Sequence, residues 1–294
     1  MAAATACKPC HQSPAYARHY GHPETARSQL PVLKYNITNN SWERKRDFRD
    51  NIDPSKYQIQ SFDLQYKNKA YILFRNDQDL EIWKYNDDSD TWSFVTKYPG
   101  KGTQYLTSFI SRGKLFLGGG GRHIQSYVDY DPYYDFWEYD LDSDHWEQKG
   151  DIPIRLMTIK LNNARGGTLS YAINENDIYV FSYSNDFWLY HAETDSWSQK
   201  KKFPGHIRVI SNLVEKNDKL YLIGGLYMDS GYVGLKDCWE YSENSNSWEL
   251  VAFMPELYAN GIAFTFNDHI YAGLGWVISG YGSFYEQNFY QLDL

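Results

Sequence analysis

Short apolar runs follow one another along most of this chain, broken by clusters of Asn, Asp, Ser and Gly. Over 207–251 the pattern predicts four strands, at 207–213, 219–223, 238–241 and 248–251. Turn formers separate them at Asn217-Asp218 and over 242–247, where such side chains bond nearby backbone. No apolar run approaches the ~20 residues that span a bilayer.

The pattern then repeats. Trp83, Trp137, Trp188 and Trp239 lie 54, 51 and 51 residues apart, and each has a second tryptophan nine residues on: Trp92, Trp146, Trp197 and Trp248. Each first tryptophan opens a W-x-Y triplet, closed by Tyr85, Tyr139, Tyr190 or Tyr241. Carried backwards, the period reaches Leu33-Lys34-Tyr35, ahead of Trp42; carried forwards, it reaches Tyr290-Gln291-Leu292. Units of about 50 residues with four short strands are the mark of a propeller blade of the kelch type. Glycine doublets after the second strand, Gly118-Gly119 and Gly224-Gly225, make the likeness specific. Over 31–294 the chain resembles kelch-repeat β-propellers, and its Asp/Asn-rich turns look more like bacterial kelch proteins than animal adaptors. Arg75-Asn76 and Ser182-Tyr183 replace the doublet in two units, and the last has Gly273-Leu274-Gly275, so the backbone there is expected to differ.

The expected fold class is therefore all-β, a kelch-type β-propeller of four-stranded blades. Six third strands, five fourth strands and five first/second pairs fit a six-bladed design with an incomplete first blade. The alternative is five blades, with the strand of Trp42 closing the last one and 33–35 left without a role. Residues 1–30, rich in Ala, His, Pro and Arg, read as an atypical N-terminal segment, unstructured or not native to the fold. If that portion is truncated, an extracytoplasmic location is favoured, and otherwise a cytoplasmic one.

Composition agrees with β structure: 27 Tyr, 15 Phe and 10 Trp make aromatics 18% of the 294 residues, and flat rings pack well on pleated surfaces. A formal charge of −8 with no large basic block argues against nucleic acid as a partner. Three cysteines (Cys7, Cys10, Cys238) form no disulfide framework. Cys7-Lys-Pro-Cys10-His11 matches the c-type haem attachment pattern, in a segment too short to enclose haem. Gly118-Gly-Gly-Gly121 lacks the lysine and hydroxyl of a P-loop, so both glycine clusters read as places of close backbone approach or positive φ. Asn36-Ile-Thr38 and Asn39-Asn-Ser41 are glycosylation sequons in an Asn-rich turn. Asp140, Asp142 and Asp144 have the spacing that opens an EF-hand calcium loop, but His145 and Asp151 stand where glycine and glutamate are needed. The aligned triplet in another unit is Ser242, Asn244 and Asn246, so the run reads as a hairpin turn.

Topology picks out a face. Strands alternate in direction, so the loops after second and fourth strands open at one end. The second-to-third-strand loops, 120–134, 226–236 and 276–287, carry Arg122, His123, Tyr127, Tyr227, Tyr232, Trp276 and Tyr281. Loops entering first strands add Arg155, His206, Arg208 and Tyr258. Aromatics and arginines on a rim framed by a rigid scaffold are what a binding surface needs. The expectation is a monomeric, non-catalytic module that binds a protein or a glycan there, with no cofactor, metal or catalytic residue assigned. The alternative is a carbohydrate-active enzyme similar to the sialic-acid epimerases of this architecture, with acid/base groups at the axis.

Overall fold

The computed structural model describes residues 5–7, 30–36, 39, 41–48, 57–76, 79–103, 106–123, 130–153, 169–173, 176–182, 184–228, 232–257, 259, 261–273, 276–279, 282–285 and 289–294. These residues are all-β, and two compact units divide the chain, Met1–Pro99 and Gly100–Leu294.

In the first unit, β1 (Thr5–Cys7), β2 (Leu30–Asn36) and β3 (Ser41–Phe48) form a three-stranded antiparallel sheet in that order. A four-stranded meander follows: β4 (Tyr57–Tyr66), β5 (Lys69–Asn76), β6 (Asp79–Asn86) and β7 (Thr91–Lys97). Residues 33–35 lie in β2, and Tyr35 stands opposite Trp42. Of residues 1–30, Thr5–Cys7 and Leu30 are described; Cys10 and His11 of the haem-type pattern lie outside the described residues.

The second unit repeats the meander. β8 (Thr107–Ser111) and β9 (Lys114–Gly118) lead through a small hairpin, β10 (Gly121–His123) and β11 (Tyr130–Pro132), to β12 (Phe136–Asp140) and β13 (His145–Lys149). The next sheet is β14 (Leu169–Ile173), β15 (Asp177–Phe181), β16 (Phe187–His191) and β17 (Ser196–Gln199). It is followed by β18 (Asn212–Lys216), β19 (Lys219–Met228), β20 (Tyr232–Ser242) and β21 (Ser247–Phe253). Last come β22 (Ile262–Phe266) and β23 (His269–Gly273), a hairpin of β24 (Trp276–Ser279) and β25 (Gly282–Tyr285), and β26 (Phe289–Leu292), which pairs with β23. The sheets starting at β4, β8, β14, β18 and β22 are five blades, matching the five-blade alternative. The six-bladed design favoured by the strand count is thus not what forms: the strands of 33–35 and Trp42, β2 and β3, pair with each other and with β1 in a three-stranded sheet.

The repeated tryptophans and tyrosines acquire a physical reason here. In every four-stranded sheet the W-x-Y tyrosine stands across the ladder from the second tryptophan, with ring centroids 5.1, 4.8, 4.8 and 5.1 Å apart. Such cross-strand aromatic pairs stabilise a hairpin by roughly 0.2–1 kcal/mol each. Between the pair lies the polar turn, and its last residue is left-handed: Asp90 at φ 49°, Asp144 at 55°, Asp195 at 47° and Asn246 at 45°. Asp and Asn tolerate that conformation better than other side chains.

These turn residues also join sheets. Asp90 accepts the Tyr85 hydroxyl at 2.6 Å and the Arg46 backbone N–H at 2.7 Å. Asn246 accepts the Tyr241 hydroxyl at 2.9 Å and the Lys201 N–H at 2.8 Å. Asp195 takes the Tyr190 hydroxyl at 2.9 Å and the Gly150 N–H at 3.2 Å. The neighbouring tryptophan completes the grip, since Trp92 Nε1 donates to the Arg46 carbonyl and Trp248 Nε1 to that of Lys201, both at 3.0 Å. Trp197 is an exception, its buried Nε1 having no partner. Burial first, then the bond to Asp195, pushes the Tyr190 hydroxyl far above its ordinary range, so it remains a donor. Asp140 caps its own turn by accepting the N–H groups of Asp142 and Ser143, which hold its carboxyl below the usual range. The aspartate run is a hairpin turn, as its repeat copies imply.

Aromatic packing fills the space between sheets. Phe187 in β16 is fully buried and meets Tyr241 at 4.7 Å and Trp248 at 5.0 Å. On the other side of β14–β17, Phe136 meets Tyr190 at 5.1 Å, edge to face. Second strands such as β9 and β15 are buried along nearly their whole length, whereas the outer β13 has only exposed and half-buried positions.

Asn246→Ala removes the acceptor for Tyr241 and Lys201 and puts a Cβ without local bonding at positive φ; a loss of about 2–3 kcal/mol is expected in urea unfolding. Asn246→Asp, the residue at three equivalent turns, is expected to stay within about 0.5 kcal/mol.

Candidate functional site

At the rim of the β18–β21 sheet the chain departs from the strands expected from its pattern. β19 and β20 run on past their predicted ends, making the second-to-third connection a β-hairpin. Their register shifts between Ile223 and Gly225. Gly224 has φ 57° and Gly225 φ 110°, and a Cβ on Gly225 would lie 2.9 Å from Ser211 Cβ and 3.0 Å from the Val209 carbonyl oxygen. The doublet thus serves the close approach and positive φ anticipated for it. It lets 207–211 cross over the hairpin, where Val209 and Leu226 exchange backbone bonds of 3.0 and 2.8 Å. The first strand accordingly begins at Asn212. The long connections of the β8–β13 and β22–β26 sheets also contain short hairpins, β10–β11 and β24–β25.

Arg208 holds this crossing. Its guanidinium is fully enclosed and meets Asp237 through two parallel bonds of 2.8 Å. Nη1 also donates to the Gly224 carbonyl at 2.9 Å and Nε to that of His206 at 3.2 Å, so four of its five N–H donors are bonded inside the protein. The guanidinium carbon stands 4.7 Å from the Phe203 ring centroid. Asp237 Oδ2 additionally accepts Trp239 Nε1 at 2.6 Å. Burial pushes the Asp237 carboxyl upward, but the Arg208 bonds and charge, helped by Trp239, outweigh it and hold the group below its ordinary value. Next to it Cys238 is buried and its thiol is pushed up to about 12, by burial first and then by Asp237 and Glu240.

Arg208 therefore faces inward, while His206 and Ile207 before it are exposed. The His206 ring lies 4.6 Å from that of Tyr227 at 37°, and Tyr227 stands across the ladder from Val233, which is 50% exposed. Arg122 and His123 fall in β10, Tyr232 in β20 and Trp276 in β24, described by backbone position. Tyr127, Arg155, Tyr258 and Tyr281 lie outside the described residues. Among the described residues no group of three His, Cys, Asp or Glu could hold a metal, and no helix is long and apolar enough to cross a membrane.

Asp237 was not among the rim candidates read from sequence, though a signal was present. An acid stands two residues before each first tryptophan: Glu81, Asp135, Asp186 and Asp237. Three of them accept the indole N–H, at 2.8, 2.9 and 2.6 Å. What sets Asp237 apart is Arg208, 29 residues away in sequence, which no local spacing announces.

Asp237→Ala strands an enclosed guanidinium and is expected to cost about 3–5 kcal/mol in chemical unfolding, whereas Arg208→Met with Asp237→Leu should cost far less. A carboxyl depressed in the folded state adds stability above its unfolded value of 3.8 and loses it as pH falls through the folded value. The clamp is thus at full strength at neutral pH, and its contribution begins to decline as pH falls below 3.8. The double variant should show a shallower fall in thermal midpoint between about pH 4 and 2 than the native chain.

No family model matches the chain. A stretch of 103 residues is 32% identical to Kelch repeat and BTB domain-containing protein 8 of Xenopus tropicalis, covering 34% of this chain and 17% of that protein. The match thus spans less than a fifth of that relative's length. The chain is also similar to the solved structure of YjhT, with a TM-score of 0.64 at 11% identity over 90% of this chain and 91% of that one. At that identity the likeness shows the fold, a β-propeller of four-stranded blades.

Proposed function

We propose that this chain, a kelch-repeat β-propeller, is a non-catalytic binding module that recognises a protein or a glycan through the rim formed by its second-to-third-strand and fourth-to-first-strand connections. The observation that carries this reading is the pairing of exposed His206 with half-buried Tyr227 on a connection that is otherwise fastened from beneath by Arg208 and Asp237. A loop fixed by an enclosed ion pair and a backbone bridge presents its side chains with little ordering left to lose on binding. The hairpins bearing Arg122, His123, Tyr232 and Trp276 supply further contacts in this reading, as do Tyr127, Tyr281, Arg155 and Tyr258. Arg208 acts through His206, whose carbonyl it holds, rather than by touching the ligand.

His206→Ala combined with Trp276→Ala should weaken partner capture by the purified chain about ten-fold or more with the thermal midpoint unchanged. Capture at native strength would show that this face is the wrong one. Turnover of an acidic or neutral sugar by the same preparation would instead favour a carbohydrate-active enzyme.

A further inference from the structure

We propose that Ser198, His191 and Asp177 form a nucleophilic serine site that takes an acyl group from small carboxylic esters. The site lies at the end of the β14–β17 sheet opposite the rim, and it goes beyond the rim reading without depending on it.

Three adjacent strands supply the three groups, and the ladder puts them on one face. Asp177 in β15 stands directly opposite His191 in β16, and Ser198 in β17, opposite Leu189, is one diagonal step from His191. His191 Nε2 lies 3.2 Å from Ser198 Oγ, and Nδ1 lies 3.4 Å from Asp177 Oδ1. With its proton on Nδ1, beside the carboxylate, the imidazole offers the Nε2 lone pair to the Ser198 hydroxyl. A hydroxyl within reach of a base that a third group orients is the arrangement that activates a serine, and it arises on unrelated folds. The His191 and Asp177 side chains are 38% and 42% exposed, so a small reagent reaches them. The strands beneath are held firmly: Tyr179 and Leu189, on the same face, are buried against the next sheet. Lys200, two residues beyond Ser198, bonds Glu243 of that sheet's turn at 2.6 Å, and the Tyr179 hydroxyl bonds the same carboxylate. A donor for the ester carbonyl comes from the sheet edge. The Lys200 N–H donates to the Phe187 carbonyl at 2.8 Å, and β17 is the last strand of its sheet. Alternation along the ladder therefore aims the N–H of Gln199, the residue after the nucleophile, away from β16 and towards an incoming carbonyl oxygen. Ser198 Oγ bonds the ester carbon while its proton passes to Nε2. The ester C–O bond then breaks, and Nε2 returns the proton to the departing alcohol. Water repeats the exchange on the acyl-serine, releasing the carboxylic acid and restoring Ser198. Asp177 is a positioning residue throughout, since it touches only His191.

The test treats the full chain with an alkyl fluorophosphonate and with 4-nitrophenyl acetate, and locates the adduct by peptide mass spectrometry. One phosphonyl group should appear on Ser198, and nitrophenol release should exceed that of buffer. Ser198→Ala should lose both at an unchanged thermal midpoint. Ser196→Ala should keep the native rate, because the Ser196 hydroxyl is paired with Thr194 and lies outside the site. His191→Gln should slow labelling about 100-fold or more. Asp177→Asn should lower the limiting labelling rate at least about ten-fold without raising the reagent concentration that gives half of it, and Asp177→Glu should recover part of the loss. An unlabelled native chain would overturn the proposal, as would an adduct on another residue or native-rate labelling of His191→Gln. None of these outcomes bears on partner capture at the rim, which is measured separately.

Discussion

One bonded group underlies the rest of this structure: the left-handed Asp or Asn that ends each third-to-fourth-strand turn. It accepts the hydroxyl of its own sheet's tyrosine at all four turns, and Asp90, Asp195 and Asn246 also take a backbone N–H from in or just after the outer strand of the sheet before. The adjacent tryptophan captures the carbonyl of that same residue, so Arg46 and Lys201 each have both backbone groups engaged. Backbone polar groups at the margin of a sheet must find partners or remain in water. Here the neighbouring sheet supplies them at a fixed position, and one staple sets both the turn and the spacing of successive blades. The staple demands several residue types at fixed separations, which is why the aromatic period survives where the glycine doublet does not.

Packing follows from the spacing. With their outer ends tied, successive sheets face each other at a distance filled by rings, as Phe187 against Tyr241 and Trp248 shows. Flat side chains bring large buried area with few torsions to fix, and edge-to-face geometry adds to it. Outer strands meet water and carry charged side chains such as Lys97, which blunt the unpaired edge.

The frame also carries loops whose form the repeat does not set. The second-to-third connections differ in length, three of them contain small hairpins, and one is crossed by a segment fastened through Arg208 and Asp237. The ion pair lies out of water, so its value is in fixing a conformation more than in raw stability. It turns a charged rim residue into a support and leaves aromatic and aliphatic groups outward.

The sequence by itself determined the fold class, the four-stranded unit, the turn positions and the need for glycine at Gly224-Gly225. These are local or periodic properties: alternation, turn chemistry and aromatic spacing act within a few residues and recur about every 50. Sequence also marked His206 and Arg208 as rim residues without distinguishing them. Which of the two faces solvent was decided by Asp237, Phe203 and the Gly224 carbonyl, brought together only when the hairpin is crossed. The first strand's start at Asn212 instead of residue 207 has the same origin, since the backbone bonds of Val209 go to Leu226. Arg208 and Asp237 could not be paired from the pattern because their meeting depends on the register of β19 against β20, and register belongs to the sheet.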